Sequence, residues 1–174
     1  MSIENQNYVE PLGVSGKVIL TSFPGLDANK NFQQNIFLSQ LSTFVNLNCL
    51  TVVSLVEDSE FDQLCDKKLF VQEIYKQNLK WIHMPITDLK VPDYKFKQKW
   101  STTKTLLKKD LLKGNNIVLH CKGGVGRSGT IAALILIEHG EEHTKAIKHV
   151  RKKKHGAIEN ELQEQFVLNY RIMS

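Results

Sequence analysis

The sequence predicts one α/β domain in which helices cover a central, mostly parallel β-sheet. Short runs rich in apolar and β-branched residues alternate with longer segments whose apolar residues recur at helical spacing. The chain has 174 residues, the length of a single domain. Strand and helix alternation is typical of parallel sheets, because successive parallel strands need a crossover connection.

Four segments have the composition of strands. Leu50–Leu55 is a continuous apolar and β-branched run, as expected for a strand that is buried on both faces. The other three predicted strands are Lys17–Thr21, Leu79–Met84 and Asn116–His120. Ligands bind such sheets at the carboxyl ends of the strands, so the segment that follows His120 is in the position of a site.

Six segments have helical periodicity. The apolar residues of Asp93–Lys113 face one way, and Gly114 follows as a stop signal. Ser59–Gln77 is the least regular of the six. The predicted helices are Asn31–Asn48, Ser59–Gln77, Asp93–Lys113, Arg127–His139, Glu141–Lys153 and Asn160–Ile172. We therefore expect residues 1–174 to form a single domain, with residues 1–15 as a poorly ordered N-terminal segment.

Charge and cysteine content limit the class of protein. The formal charge of +5 favours anionic partners such as phosphate groups. There are three cysteines, Cys49, Cys65 and Cys121. Their odd number argues against a disulfide framework and therefore favours a reducing compartment. No two of them have the spacing of metal ligands, so we expect no metal site. The first residues lack the pattern of a signal peptide, and no apolar run is long enough for a membrane span, so we expect a cytoplasmic protein. We also expect this protein to be a monomer.

The segment 120–130, HCKGGVGRSGT, carries the chemistry. It runs from a predicted strand through a glycine-rich loop into a predicted helix. Glycines let successive backbone N–H groups converge on a ligand, and the helix N-terminus adds positive potential. The loop is therefore predicted to bind a phosphate-sized dianion. Its phosphate-binding residues would be Lys122, Gly123, Gly124, Val125, Gly126 and Arg127.

A thiol and a guanidinium stand at the two ends of this loop. The amide dipoles, the guanidinium of Arg127 and the helix N-terminus favour the thiolate form of Cys121, which would be a nucleophile beside a bound phosphoryl group. The planar fork of Arg127 matches two phosphoryl oxygens, which a lysine cannot do. Ser128 is placed to donate its hydroxyl to the thiolate. His120 is expected to brace the loop through hydrogen bonds.

Residues 120–130 resemble the His-Cys-x5-Arg-Ser/Thr signature of the protein tyrosine phosphatase superfamily. The segments Phe23–Gly25 (FPG), Pro85–Asp93 (PITDLKVPD) and His155–Phe166 (HGAIENELQEQF) together resemble the kinase-associated subgroup of dual-specificity phosphatases. The resemblance spans roughly residues 17–170. It implies the cysteine-phosphatase fold, a two-step hydrolysis without a metal or other cofactor, and a phosphorylated protein as substrate, with no nucleic-acid partner.

The reaction also needs an acid, because the leaving alkoxide or phenoxide must receive a proton. The family has an aspartate on a loop some 30 residues before the cysteine, and Asp88 is at the matching position. Asp93 is the second candidate, and a helix or turn cap is the alternative role for Asp88. The resemblance places Glu159 where tyrosine-specific members carry a glutamine that orients water. Gln163 could take that role instead.

Other functions remain open at this point. The segment 124–129 also satisfies the dinucleotide pattern G-x-G-x-x-G, but helix follows it where that pattern needs a second strand. A module that binds a phosphorylated partner without turnover is one alternative. A phosphoinositide phosphatase is the other, although lipid phosphatases of this fold carry two lysines in the loop and this loop has Lys122 and then Val125. The basic run Arg151–Lys154 is either a solvated helix end or a substrate-binding surface.

Overall fold

The structure is a computed structural model, and it describes residues 7–172. Within these residues, a five-stranded mixed sheet forms the centre of the molecule. The strands are β1 (Tyr8–Val9), β2 (Val18–Thr21), β3 (Cys49–Ser54), β4 (Lys80–His83) and β5 (Asn116–His120). Their order across the sheet is β1-β2-β5-β3-β4, and only β1 runs antiparallel to its neighbour. The predicted α/β class with a mostly parallel sheet is confirmed.

In the described part of the chain, seven helices flank this sheet. They are α1 (Gln34–Asn46), α2 (Asp58–Leu64), α3 (Lys67–Lys76), α4 (Tyr94–Leu112), α5 (Gly126–Glu138), α6 (His143–Lys153) and α7 (Glu161–Leu168). Each falls within or beside a segment that the periodicity predicts. Over residues 7–172, none of them combines the length and the apolarity that crossing a bilayer requires.

The predicted helix Ser59–Gln77 is two helices, and this part of the prediction is wrong. Cys65 has extended backbone angles, and the carboxylate of Asp66 accepts a hydrogen bond from Leu69 N at 3.0 Å, which caps the start of α3. A side chain that satisfies the first N–H groups of a new helix favours a break over a continuous helix. The irregular periodicity of this segment has its cause in that break.

The N-terminal segment is ordered from residue 7 onward, which corrects the expectation for residues 7–15. Tyr8 pairs with Ile19 and Val9 with Val18, so β1 extends the sheet beyond β2. Val9 is completely buried, and Lys17 and Lys153 lie over the ring of Tyr8. A two-residue strand is too short to show periodicity, so only the packing reveals it. Residues 1–6 of the predicted disordered segment lie outside the described residues.

Strand β5 and helix α5 occupy the middle of the core. Every residue of β5 is buried, and twelve of the thirteen residues of α5 are buried as well. One apolar cluster packs on the α4, α5 and α6 side of the sheet, and a second, rich in phenylalanine, packs on the α1 and α3 side. The loop that joins β5 to α5 is therefore anchored at both ends in well-packed structure.

Candidate active site

The thiol of Cys121 lies at the floor of the loop between β5 and α5. Its Sγ accepts the backbone N–H of Gly124 at 3.1 Å and is 3.6 Å from Ser128 Oγ. Only 3% of Cys121 is exposed. The sulfur therefore lies inside the loop, with one backbone N–H and one hydroxyl group beside it.

One glycine of the loop is required by its backbone conformation and by a close backbone neighbour. Gly124 has a φ of +71°, and a Cβ there would lie 2.4 Å from the backbone of Thr21 and Ser22. A Cβ on Gly126 would lie 1.9 Å from Glu159 Oε2, so a side chain there would displace the end of this exposed carboxylate.

The guanidinium of Arg127 is held by a carboxylate that the sequence analysis did not single out. Glu60 on α2 accepts hydrogen bonds from Arg127 Nη1 at 2.6 Å and from Nη2 at 2.9 Å, and Ile86 O accepts a third from Nη1 at 3.0 Å. Arg127 is 1% exposed. This bidentate pair fixes the plane of the guanidinium.

Electrostatics keep Glu60 ionised. Burial alone would raise its pKa, but the hydrogen bonds from Arg127 and from the backbone of Glu57, with the charge of Arg127, outweigh it and lower the pKa below its ordinary value.

The sequence contains one signal that could have identified Glu60, which is an acidic residue shortly after the carboxyl end of β3. That signal is weak, because Asp58 and Asp62 stand equally near.

Asp88 and Asp93 have different positions. Asp88 Oδ1 lies 3.0 Å from Arg127 Nη2, and its side chain is 57% exposed. Asp88 lines the same cleft as Cys121. The carboxylate of Asp93 instead accepts the N–H of Phe96 at 2.8 Å and caps α4. The geometry favours Asp88 as the acid and gives Asp93 the capping role.

The start of α7 holds the loop that carries Asp88. Asn160 Nδ2 donates to Leu89 O at 3.0 Å, and Gln163 Nε2 lies 3.5 Å from Lys90 O. Leu89 has a φ of 59°, a left-handed conformation that is rare for leucine. Gln163 Oε1 accepts the backbone N–H of Glu159 at 3.0 Å, so both ends of this buried amide are engaged. Sequence reasoning did not identify Asn160.

Cys121 and Asp88 border an open cleft of about 550 Å³. Three carboxylates line it, those of Asp27, Asp88 and Glu159, together with the ammonium groups of Lys30 and Lys122. Away from the phosphate loop itself, the cleft therefore offers no excess of cationic side chains. It is larger than one phosphoryl group needs, which leaves room for the part of a substrate that carries the phosphate.

His120 lies behind the loop in a fully buried position. Its Nε2 is 2.5 Å from Ser54 Oγ, and the edge of the Phe23 ring packs against the imidazole. Burial lowers the pKa of His120 to about 3, so the ring is neutral. This hydrogen bond joins β5 to β3, and the bracing of the loop by His120 stays a prediction.

The other cysteines have environments that suppress reactivity. Burial raises the pKa of Cys49 to about 12, and burial with the nearby charge of Asp66 raises that of Cys65 to about 12. Both are free thiols. Protonated thiols are poor nucleophiles, so neither competes with Cys121 for the chemistry.

Within the basic run at the end of α6, Arg151 has a structural role. Arg151 Nε donates to Ala157 O at 3.1 Å, and Nη2 donates to Ile158 O at 3.0 Å and to Glu164 at 2.7 Å. These bonds support the segment that precedes Glu159. The described lining of the cleft does not include the run.

The structure brings most of the predicted site residues together. Those that border the cleft are Cys121, Lys122, Gly123, Val125, Gly126, Asp88 and Glu159. Arg127, Ser128, Gly124, His120 and Gln163 lie beneath or behind it, and their contacts are those given above. The individual catalytic roles of these residues remain predictions.

Comparison with known proteins agrees with this geometry. Residues 28–141 match the family model described as "Polymorphic toxin system, DSP-PTPase phosphatase". Protein tyrosine phosphatase type IVA 3 of Bos taurus is 29% identical over 129 residues, which cover 70% of this chain and 72% of the relative. The same protein of Mus musculus is 30% identical over 111 residues, 63% of this chain and 62% of the relative.

Solved structures show the same architecture. The active form of Tk-PTP superposes with a TM-score of 0.69 at 25% identity, covering 95% of this chain and 98% of that one. A kinase associated phosphatase variant superposes with a TM-score of 0.75 at 18% identity, covering 92% and 89%. PTPMT1 in complex with PI(5)P has a TM-score of 0.66 at 22% identity and covers 87% of each chain. At 18% and 22% identity, the last two superpositions show that the fold is shared.

The chain belongs to the DSP-PTPase phosphatase family. It is a cysteine-dependent phosphatase of the protein tyrosine and dual-specificity class. The resemblance carried by the signature loop and its flanking motifs is thereby confirmed.

Proposed function

We propose that this protein hydrolyses phosphotyrosine and phosphoserine or phosphothreonine in protein substrates through a cysteinyl-phosphate intermediate. The observation that carries the proposal is the arrangement of Cys121, Arg127 and Asp88 around one cleft, with the sulfur directed at the loop amides and the carboxylate 3.0 Å from the guanidinium. A nucleophile, an anion clamp and an acid are the three groups that this reaction requires.

In the first step the phosphoryl group enters the loop. Its oxygens accept hydrogen bonds from the loop amides and from the Arg127 N–H groups that Glu60 and Ile86 leave free, so the contact of Asp88 with Nη2 opens. The thiolate of Cys121 attacks phosphorus, an S–P bond forms, and the P–O bond to the substrate breaks. The carboxyl group of Asp88 gives its proton to the departing oxygen.

In the second step water attacks the phosphorus of the cysteinyl phosphate. The carboxylate of Asp88 takes a proton from this water, the S–P bond breaks, and inorganic phosphate forms. Ser128, whose Oγ lies 3.6 Å from the sulfur, donates a hydrogen bond to the departing thiolate and keeps its proton. Glu159 lies against Gly126, at the edge of the cleft where this water must enter.

The charges of the cleft support a phosphoprotein over a phosphoinositide substrate. An inositol headgroup with several phosphates requires several cations around the scissile group, but Asp27, Asp88 and Glu159 outnumber Lys30 and Lys122. Val125 adds an apolar contact to the lining, which suits a side-chain stem or an aromatic ring. Carboxylates beside the pocket would oppose additional phosphates.

We also propose that the chain acts as a monomeric phosphatase domain in the cytoplasm, with a phosphorylated protein as its partner and without a metal.

The test compares substrates and the nucleophile in one series. We expect wild type to release phosphate from phosphotyrosine and phosphothreonine peptides with a larger kcat/KM than from soluble phosphatidylinositol phosphates. Cys121→Ser should bind the same peptides without turnover, because a serine hydroxyl stays protonated where the thiol ionises. Acid-quenched wild type should carry the mass of one added phosphoryl group.

Three outcomes would contradict the proposal. A tenfold preference for any phosphoinositide would replace it with the lipid reading. Phosphate release by Cys121→Ser above a trace would exclude the covalent route. Peptide binding by wild type without any phosphate release would make the protein a binding module.

A further inference from the structure

Positive charge is concentrated on helices α4 and α6, each of which has a formal charge of +5. Helix α4 contains six lysines and one aspartate, a formal charge of +5 that equals the excess of the entire chain. The aspartate, Asp110, is buried and pairs with Lys80 on the neighbouring sheet edge. Among the residues that the structure describes, only Lys104 of the six lysines forms an ion pair. The outer face of α4 is therefore an uncompensated basic surface.

An apolar groove runs beside this helix. A cavity of about 500 Å³ between α4, α5 and α7 is lined by large apolar side chains, among them Phe96, Trp100, Leu134, Leu162 and Phe166. A second cavity of about 190 Å³ shares Trp100 with the first and continues past Lys108. We call the two together the α4 groove. Leu162, on its wall, is 50% exposed.

The charged groups on the first cavity are cationic. Lys97 and Arg171 line it, and none of its described lining residues is a carboxylate. Lys97 Nζ lies 5.6 Å from the centre of the Phe166 ring, so one ammonium group sits directly over the apolar surface. In the second cavity Lys108 continues the cationic edge, whereas Glu138 is paired with Lys104 and with Tyr170.

We propose that the α4 groove binds an acidic amphipathic helix of a protein partner, the phosphorylated substrate in the first place. Lys97 and Lys108 are eleven residues apart on α4, which spans about 16 Å, or about three helical turns. A helix of that length presents apolar residues at i, i+3, i+4 and i+7 to a groove, and glutamates on its flanks would meet the cationic edge. The apolar residues supply affinity and the charges supply steering and orientation.

The shape of the surface favours a peptide over an anionic membrane. The apolar side chains line recessed cavities, and a bilayer cannot enter a concave groove between helices. A membrane-binding face would instead present its apolar residues on a protruding surface. An acidic helix can lie in such a groove and meet the lysines from the side.

The position of the groove connects it to the active site. Its first lining residues are Val91 and Pro92, and Asp88 stands three residues before Val91. A partner held in the groove would therefore have its neighbouring chain beside the loop that carries the acid. In this respect the inference rests on the proposed phosphoprotein function, although binding in the groove needs no turnover.

The test uses a designed peptide and a matched control variant. The probe is a fluorescent 18-residue helix-forming peptide with leucines at the spacing above and glutamates elsewhere, beside a scrambled peptide of equal composition. We expect fluorescence anisotropy to show binding of the designed peptide, a tenfold or greater loss for Lys97→Glu/Lys108→Glu, and less than a threefold loss for Lys145→Glu/Lys148→Glu. The second pair removes the same charge from exposed positions on α6, away from the groove.

The apolar contribution is tested separately. Leu162→Ser should weaken binding of the designed peptide about fivefold or more while leaving the net charge unchanged. All variants should hydrolyse p-nitrophenyl phosphate like wild type, because this small substrate does not reach the groove. That measurement separates the two proposals: activity without peptide binding overturns the groove, and peptide binding without any activity overturns only the phosphatase proposal.

Three other results would overturn the groove. Equal binding of the scrambled peptide would show that charge alone is recognised. Equal losses for the two charge-reversal pairs would place the contact elsewhere. Binding of wild type to phosphatidylcholine vesicles containing 30% phosphatidylserine, sensitive to Lys97→Glu/Lys108→Glu and accompanied by no peptide binding, would identify a membrane face instead.

Discussion

The phosphate loop and the loop that carries the acid meet at one cleft, but they are held very differently. Cys121 is 3% exposed and Arg127 is 1% exposed, and both are fixed by buried structure on either side. The side chain of Asp88 is 57% exposed. Its loop depends on Arg127 and on contacts with the start of α7, including the bond from Asn160 to Leu89 O.

This difference has a physical reason. In the proposed mechanism the thiolate and the clamp hold a dianion in a fixed geometry, and rigid, dry surroundings strengthen those interactions. In the same mechanism the acid loop must let the substrate enter and the product leave, which a few contacts that can break and form again would allow. Substitutions in the phosphate loop should therefore impair all substrates, whereas substitutions around Asp88 should discriminate among leaving groups.

Replacement of the clamp should have the largest effect. For Arg127→Lys we expect kcat/KM to fall about 10³-fold for every substrate, because a point charge cannot reproduce the planar fork that stabilises the transferring phosphoryl group. Steady-state kinetics with p-nitrophenyl phosphate and a phosphopeptide measure this. Arg171→Lys, at an exposed position, is the control. A near-normal Arg127→Lys enzyme would show that the clamp is misassigned.

Loss of the acid should be selective. Asp88→Asn should lower kcat by about 10²- to 10³-fold for phosphothreonine, whose leaving group is strongly basic, and much less for p-nitrophenyl phosphate. The descending limb of the pH profile at high pH should disappear. Asp93→Asn is the matched control, because asparagine also caps helices well and α4 should be retained. If Asp93→Asn shows the selective loss and Asp88→Asn does not, the wrong aspartate has been chosen.

Glu60 should connect the two regions through Arg127. We expect Glu60→Gln to lower kcat/KM about tenfold, since glutamine keeps the side-chain shape but offers one acceptor fewer and no charge to the fork. The effect should be much smaller in an Arg127→Lys background, where no fork remains to be oriented. Additive losses in this double-mutant cycle would mean that Glu60 acts independently of Arg127.

The same carboxylate should affect stability at low pH. The pKa of Glu60 is lowered in the folded state, so its pairing stabilises the fold above its ordinary value of 4.5, and this contribution is lost as the pH falls through the lowered value. Glu60→Gln should therefore lose less free energy of unfolding than wild type between pH 5 and pH 3, as chemical denaturation at each pH would measure. An unchanged slope would contradict the assigned pairing.

The contact between α7 and the acid loop should have the smallest effect. Asn160→Ser keeps a capping oxygen for α7 but removes the donor to Leu89 O. We expect a loss of about 3- to 10-fold for substrates with basic leaving groups and almost none for p-nitrophenyl phosphate, a weaker version of the Asp88→Asn pattern. Asn169→Ser, at the other end of α7, is the control. Equal losses for all substrates would indicate a general structural defect instead.

Local pattern sufficed where one short segment contains all of the information. The loop 120–130 has its strand, its glycines, its nucleophile and its helix start in consecutive positions, so its structure and chemistry follow from sequence spacing. Longer elements were predicted for a similar reason: α4 and β3 show a clear periodicity and a clear apolar run. The break at Cys65 and the two-residue strand β1 were not predicted, because one depends on a side-chain cap and the other on pairing with β2.

The sequence by itself determined the α/β class and the place of the phosphate loop, and it predicted the nucleophile and the clamp, since these depend on residues that are neighbours in the chain. Only the tertiary structure decided which aspartate faces the cleft, that Glu60 orients Arg127, and that Asn160 holds the acid loop. Each of these contacts joins residues from about 40 to 70 positions apart. Such distances are closed by the packing of helices on the sheet, and no local periodicity or spacing records them.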